Sequence, residues 1–69
     1  MTEVKLKDEF IKLGQALKAA QLCDMGSDAK MVIQDGLVKV NGETETRRGR
    51  KLYAGDTVEF DGKTVRIVQ

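Results

Sequence analysis

The first third of the chain changes from an alternating to a helical pattern of apolar residues. Val4 and Leu6 alternate with charged neighbours, which is typical of a short strand with one buried face. The apolar residues that then recur at helical spacing are Phe10, Leu13, Leu17 and Ala20. Because a carboxylate can accept hydrogen bonds from the free amides of a first helical turn, we predict that Asp8 caps this helix.

A second helix is predicted after a short connection. Ser27 can cap its N-terminus directly after Gly26, and Gly36 can end it in a left-handed conformation. The predicted buried stripe of this helix consists of Ala29, Val32 and Ile33. Only a few residues separate the two predicted helices, so we expect them to pack as neighbours.

From Val38 onward the apolar residues alternate with a period of two, which is typical of strands. Asn41-Gly42 is a strong hairpin signal because both residues tolerate positive φ, and Asp61-Gly62 predicts a second tight turn. The segment from Thr44 to Lys51 is polar and is predicted to be a loop. The predicted fold is α+β, with two packed N-terminal helices followed by a small twisted antiparallel sheet that a short N-terminal strand can join.

Length and composition limit the classes of function. A chain of 69 residues predicts one domain, over residues 1–69. Cys23 is the single cysteine and histidine is absent, which removes an intramolecular disulfide, the usual zinc sites and the commonest general base. We therefore expect a non-catalytic protein with no metal or cofactor, in which Cys23 is a packing residue. No apolar run has the length of a signal peptide or membrane span, so we expect a cytoplasmic location.

Positive charge is concentrated in one segment of a nearly neutral chain. The formal net charge is +1, yet the run Arg47-Arg48-Gly49-Arg50-Lys51 carries four positive charges. A patch of this kind can attract a polyanion without a high isoelectric point. Charge alone equally allows a solvated loop that only keeps the protein soluble.

Short motifs follow one another in a fixed order through most of the chain. They are Lys12-Leu13, Leu17, Leu22, Ser27-Asp28-Ala29, Ile33, Gly36, Val38-Lys39-Val40-Asn41-Gly42 and Gly55-Asp56. Each motif is weak by itself, but the ordered set with this spacing is fairly specific. The set resembles the S-four-type RNA-binding domain, also called the alpha-L motif, and in particular its compact, free-standing bacterial members.

The resemblance implies a partner and a set of contact residues. Structured RNA, often ribosomal or transfer RNA, would lie across the two helices and the adjacent hairpin. The residues that would face it by position are Lys12, Gln15, Ser27, Lys30, Gln34 and Asn41. From their charge, and not from the family pattern, we add Arg47, Arg48, Arg50 and Lys51. We thus expect a monomer that binds structured RNA, with the ribosome as a candidate partner, and no membrane or small-molecule substrate.

Three positions depart from the family pattern. Gly26 stands where many relatives have arginine, Gly14 where an acidic residue is common, and Gln21 where glycine is usual. Glycine weakens a helix by about 1 kcal/mol relative to alanine, so close packing is the reason we expect for Gly14. The missing arginine removes an expected phosphate contact, which leaves a protein-interaction adaptor on the same scaffold as an alternative. Duplex DNA is a weaker alternative, since the same loop charges would serve.

Overall fold

The computed structural model describes residues 2–23 and 26–69, apart from the side chains of residues 26 and 27. The order of elements is β1 (Thr2–Lys5), β2 (Ile11–Lys12), α1 (Leu13–Ala19), α2 (Gly26–Gln34), β3 (Val38–Val40), β4 (Glu43–Thr44), β5 (Lys51–Leu52), β6 (Thr57–Phe60) and β7 (Lys63–Val68). The two helices pack against each other, as the short connection predicted. The fold is α+β, with both helices before the strands of the hairpins.

The main sheet has five strands in the order β1-β7-β6-β3-β4. The predicted N-terminal strand joins it at one edge, where β1 pairs with β7 and Thr2 lies opposite Val65. This pairing is parallel, whereas the other pairs in the sheet are antiparallel. The strands that follow the helices, β3, β4, β6 and β7, thus form the predicted antiparallel sheet. The N-terminal strand joins it in parallel, which makes the complete sheet mixed. Both helices and three hairpin strands lie between β1 and β7 in sequence, so no tight turn forces the two to run in opposite directions.

Both tight turns of the hairpins form where the sequence predicted them. Asn41 and Gly42 have φ values of 52° and 83°, and Asp61 and Gly62 have φ values of 54° and 76°. In β3 the two valines are buried and Lys39 is exposed, as their alternation predicted. The strand register of the sheet is thus fixed by local turn chemistry together with a buried face.

The first helix is shorter than predicted. It begins at Leu13, and the residue before it, Lys12, makes no side-chain capping hydrogen bond. The prediction that Asp8 caps this helix was therefore wrong. Residues Ile11–Lys12 instead form a two-stranded antiparallel ribbon with β5, in which Ile11 lies opposite Leu52.

The polar segment before β5 supplies the cap of α1. The backbone N–H of Leu13 donates to the carbonyl oxygen of Arg50 at 2.9 Å, and that of Gly14 donates to the carbonyl oxygen of Arg48 at 3.1 Å. Backbone carbonyls thus satisfy two of the amides that every helix N-terminus leaves free. This contact fixes the basic segment against the first turn of α1.

The second helix begins at Gly26, so Ser27 lies inside it and not at the predicted cap position. The side chain of Ser27 lies outside the described residues. Ala29 and Ile33 are fully buried and Val32 is half-buried, as the apolar stripe predicted. Gly36 follows the helix with a φ of 76°, which confirms the predicted left-handed stop.

Both helices and the sheet contribute to one apolar core. Its buried residues are Val4, Leu6, Leu13, Ala16, Leu17, Cys23, Ala29, Ile33, Val38, Val40, Leu52, Val58, Val65 and Ile67. Cys23 belongs to this core, in agreement with the packing role that the sequence predicted. None of the helices in the described part of the chain is long and apolar enough to cross a membrane.

Candidate functional site

The basic segment is organised around the carboxylate of Glu45, whose side chain is only 7% exposed. Arg47 binds it with two parallel hydrogen bonds, from Nε to Oε2 and from Nη2 to Oε1, each 3.1 Å long. Arg50 adds a bond from Nη1 to Oε1 at 2.9 Å. The backbone amides of Thr46 and Arg47 also donate to Oε2. Two of the four cations in the segment, Arg47 and Arg50, therefore form salt bridges with Glu45, and we call these three side chains the Glu45 cluster.

The cluster keeps Glu45 ionised well below neutral pH. Side-chain hydrogen bonds from Arg47 are the main reason that the pKa of Glu45 falls to about 2, and those from Arg50 add to the decrease. Burial acts in the opposite direction and is outweighed. The same pair raises the pKa of Arg47. Two of the arginines in the segment are therefore held by a buried carboxylate, although the segment itself lies at the surface.

Glu45 leaves much of the arginine surface available. The side chain of Arg47 is 75% exposed and that of Arg50 is 32% exposed. A guanidinium group has five N–H donors, so Arg47 keeps donors for a further anion while the carboxylate fixes its orientation. No role was predicted for Glu45 from the sequence. The available signal was its spacing, two residues before Arg47 and five before Arg50.

Arg48 crosses the first turn of α1 directly over Gly14. A Cβ atom built on Gly14 would lie 2.8 Å from Cγ of Arg48 and 3.4 Å from its Cδ. Any larger residue at position 14 would therefore displace the Arg48 side chain. This contact confirms the close packing expected for Gly14, and it gives a physical reason for the departure from an acidic residue there.

A surface depression of about 350 Å³ lies where α1, α2 and the basic segment meet, and we call it the α1 depression. Its lining residues are Lys12, Gly14, Gln15, Lys18, Ala29, Arg48 and Gly49. It brings together three residues predicted from the sequence, Lys12, Gln15 and Arg48. Lys18 was missed, although it is exposed three residues after Gln15 and hence on a neighbouring part of the same helix face. Among the described residues, the lining carries three positive charges and no carboxylate.

The other predicted contact residues with described side chains do not line this depression. Lys30 and Gln34 are exposed on α2, and neither is among its lining residues. The Nζ atom of Lys51 lies 4.8 Å from the centroid of the Phe10 ring, a cation–π contact. The depression therefore contains only some of the predicted contact residues.

Asn41 has a structural role in its turn. Its Nδ2 donates to Oδ1 of Asp56 at 3.1 Å, and its Oδ1 accepts from the backbone N–H of Thr57 at 2.9 Å. The side chain thereby ties the β3–β4 turn to the start of β6. The hairpin position and a binding role of Asn41 were predicted from the sequence, whereas its hydrogen bonds to Asp56 and Thr57 were not.

In residues 2–23 and 26–69, no group of three or more histidine, cysteine, aspartate or glutamate side chains is placed to hold a metal ion. The α1 depression combines the side chains of Lys12, Lys18 and Arg48. What such an arrangement can do chemically is to bind an anion, because ammonium and guanidinium groups both donate to phosphate or carboxylate oxygens.

Two curated relatives are similar over most of their length. The chain is 46% identical over 59 residues to the "Probable ribosome maturation protein RlbA" of Bacillus subtilis, which covers 86% of this chain and 83% of that protein. It is 40% identical over 62 residues to the "Putative RNA-binding protein YbcJ" of Escherichia coli, which covers 90% of this chain and 89% of that protein.

Solved structures agree with these relationships. The solution structure of YbcJ from E. coli, described as revealing an alpha-L motif involved in RNA binding, matches with a TM-score of 0.77 and 38% identity over all of this chain and 89% of that one. The 30S ribosomal protein S4e of Thermoplasma acidophilum matches with a TM-score of 0.72 and 28% identity, over 87% of this chain and 32% of that one. The sequence also matches the S4 domain over residues 4–68. The chain therefore belongs to the S4 domain family.

Proposed function

We propose that this protein is a non-catalytic module that binds structured RNA, with ribosomal RNA as the first class to test. The observation that carries the proposal is the convergence of Lys12, Lys18 and Arg48 on a depression in which the described lining residues include no carboxylate. The names of its relatives support the proposal, since one is a putative RNA-binding protein and another a probable ribosome maturation protein.

The proposed RNA surface combines the α1 depression with the arginine loop, which we define as Arg47–Lys51, and extends to exposed residues of α2 and to the β3–β4 turn. Its contact residues are Lys12, Gln15, Lys18, Ser27, Lys30, Gln34, Asn41, Arg47, Arg48, Arg50 and Lys51. The cations would neutralise phosphates, so that the protein reads the shape and backbone of a folded RNA and not base edges. We further propose that it acts as a monomer in the cytoplasm, on the ribosome or on ribosomal RNA during maturation.

Glu45 has a defined part in this proposal. Free arginine side chains lose conformational entropy when they bind, which weakens association. The two parallel hydrogen bonds from Arg47 to Glu45 restrict that side chain beforehand. Its exposed guanidinium would therefore meet a phosphate in a fixed orientation, at a smaller entropic cost.

The central test is the salt dependence of RNA binding. We expect the affinity for ribosomal RNA fragments to fall steeply with salt, with a logarithmic slope of about −0.7 to −0.9 for each phosphate contacted. The double variant Lys18→Gln, Arg48→Gln should bind more weakly and with a slope shallower by roughly two contacts. Lys63→Gln is the matched control, because Lys63 is exposed and does not line the α1 depression.

The Glu45 cluster determines which arginine variants can test RNA binding without disturbing the loop. Reversal of Arg47 and Arg50 to glutamate would remove the partners of Glu45 and add repulsion inside the cluster, so any loss of binding could reflect a misfolded loop. Substitution of Arg48 avoids this, since its side chain is not part of the Glu45 cluster. Salt-insensitive or absent RNA binding by the unmodified protein would contradict the proposal.

A protein-interaction adaptor is the second candidate function, favoured by Gly26 in place of the usual arginine and by the net charge of +1. Capture of partners from bacterial lysate with and without nuclease treatment separates the two. Partners that survive nuclease would favour the adaptor, and partners lost with the RNA would favour the module. Competition between folded RNA and duplex DNA of equal length tests the DNA alternative.

A further inference from the structure

A second depression, of about 380 Å³, adjoins the α1 depression, and we call it the Phe10 depression. The lining residues that matter here are Lys5, Lys7, Asp8, Phe10, Gln15 and Lys18. Gln15 and Lys18 line both depressions, so the two form one surface that continues across α1. Three lysines face a single carboxylate in the Phe10 depression, which leaves it positively charged.

Phe10 is not explained by core packing. It is half-buried, and it belongs neither to the buried core nor to the partly buried apolar residues that pack against that core. Its ring is fixed by Lys51, at 4.8 Å from Nζ to the centroid, and by Tyr53, with ring centroids 6.1 Å apart. Phe10 lines the depression, whereas Lys51 and Tyr53 do not.

An oriented aromatic ring beside several lysines is the combination that binds a single-stranded nucleotide. The base stacks on the ring, and the ammonium groups neutralise the flanking phosphates. A volume of about 380 Å³ is within the range of about 300–1,000 Å³ that is typical of small-ligand sites. The continuity with the α1 depression at Lys18 gives a path for one RNA strand from its structured part to the ring.

We propose that the Phe10 depression binds an unpaired nucleotide adjacent to the structured RNA that occupies the α1 depression. This inference rests on the proposed function and specifies its target: a folded RNA with a single-stranded nucleotide next to its helical part. Phe10 supplies the stacking surface, while Lys5, Lys7 and Lys18 contact the phosphates.

The test compares RNA hairpins that share one stem. One hairpin is blunt, and the others carry a single-stranded tail of about five nucleotides at the 5′ or the 3′ end, within the site sizes of single-strand binders. We expect the unmodified protein to prefer one of the tailed hairpins. Phe10→Leu should weaken binding of that hairpin about tenfold, as expected for the loss of one stacked base, and leave binding of the blunt hairpin unchanged. Phe60→Leu, at a half-buried phenylalanine outside both depressions, should leave the preference intact.

A second variant keeps the test decisive if Phe10→Leu does not fold. Lys7 is exposed, so Lys7→Gln should fold normally, reduce the preference for the tailed hairpin and lower the salt slope by about 0.7. Equal affinity of the unmodified protein for blunt and tailed hairpins would overturn the inference and leave the proposed function standing. An unchanged preference in folded Phe10→Leu, or in Lys7→Gln if the first variant is unfolded, would also overturn it. Failure to bind any hairpin or ribosomal RNA fragment would refute the proposed function together with this inference.

Discussion

Gln21 and Gly36 occupy equivalent positions directly after the two helices, and both are left-handed, with φ values of 60° and 76°. After α1, the N–H of Leu22 donates to the carbonyl oxygen of Leu17 at 3.0 Å; after α2, the N–H of Leu37 donates to that of Val32 at 3.1 Å. The backbone motif is the same, but only one end has the residue that adopts it without a steric penalty. This conformation gives a physical reason for the glycine that the family resemblance implies at position 21.

Gln21→Gly should therefore stabilise the protein. Removal of the side chain relieves a left-handed penalty of roughly 1 kcal/mol, so we expect the free energy of unfolding in urea to rise by about 0.5–1 kcal/mol. Gly36→Gln should lower the free energy of unfolding by about 1–2 kcal/mol, because a side chain disfavours the left-handed conformation. A steric clash adds nothing to this loss, since a Cβ at position 36 would make only an ordinary van der Waals contact.

A matched control for this prediction is Gln15→Gly, the same substitution inside α1. Glycine in the middle of a helix costs about 1 kcal/mol, so this variant should be less stable than the unmodified protein. Opposite signs at positions 15 and 21 would show that backbone conformation decides the outcome. Destabilisation of similar size at both positions would contradict the prediction.

Gly14→Ala should separate stability from RNA affinity. Alanine favours the helix by about 1 kcal/mol, but its Cβ would collide with Arg48, so we expect the net change in stability to stay within about 1 kcal/mol. The displaced arginine would no longer line the α1 depression, and affinity for ribosomal RNA fragments should fall several-fold, roughly one lost charged contact.

A double-mutant cycle identifies the cause of that fall. If Gly14→Ala acts by moving Arg48, it should have little further effect on affinity in the Arg48→Ala background. The measurement is a binding titration of the four proteins at one salt concentration. An equal loss in both backgrounds would show that Gly14 acts independently of Arg48.

The hairpins could be predicted from the sequence because their determinants are local. Each turn needs only residues that tolerate positive φ, as Asn41-Gly42 and Asp61-Gly62 do. The alternation of apolar and polar residues around Lys39 indicates which face of β3 is buried. The β2–β5 ribbon could not be predicted, since two-residue strands carry no periodic pattern. The cap of α1 was missed for a similar reason: its acceptors are backbone carbonyls of Arg48 and Arg50, which any residue type could provide.

The sequence predicted the positive charge of the candidate site but not the arrangement of its side chains. The count of charged residues identified the positive segment but gave Glu45 no role. The N–H of Glu45 donates to the carbonyl oxygen of Val38 at 3.0 Å, which ties the segment to β3 and buries the carboxylate within reach of Arg47 and Arg50. The spacing of Glu45 from the arginines indicates that they could pair, but the burial of the carboxylate depends on the sheet and the loop together and has no local sequence pattern.

The Glu45 cluster predicts a loss of stability in acid. The pKa of Glu45 is lowered from 4.5 to about 2 in the folded protein. Its contribution is therefore fully present above pH 4.5 and decreases as the pH falls towards 2, because the unfolded chain takes up the proton first. Glu45→Gln should lower the free energy of unfolding at pH 7 by about 1–2 kcal/mol through the loss of charged hydrogen bonds, and this difference should shrink in acid.

Urea unfolding at several pH values between neutral and 2 measures this effect. Glu9→Gln is the matched control: Glu9 is exposed, so its substitution should change stability by less than about 0.5 kcal/mol at any of these pH values. If the free energies of unfolding of Glu45→Gln and the unmodified protein differed by the same amount at every pH, the ionised carboxylate would not be the source of the stability.

Arg47→Lys tests whether the geometry of the guanidinium or only its charge matters. Lysine keeps the charge but cannot form the two parallel bonds from Nε and Nη2 to Glu45. Since these bonds are the main cause of the lowered pKa of Glu45, that pKa should rise towards its ordinary value, which NMR titration of the Glu45 side chain would measure. RNA affinity should fall as well, because the cation at position 47 would no longer be held in place. Arg48→Lys is the control, since it should leave the pKa of Glu45 unchanged. If Arg47→Lys retained both the low pKa and the affinity, charge alone would account for the loop and the fixed orientation of Arg47 would have no role in binding.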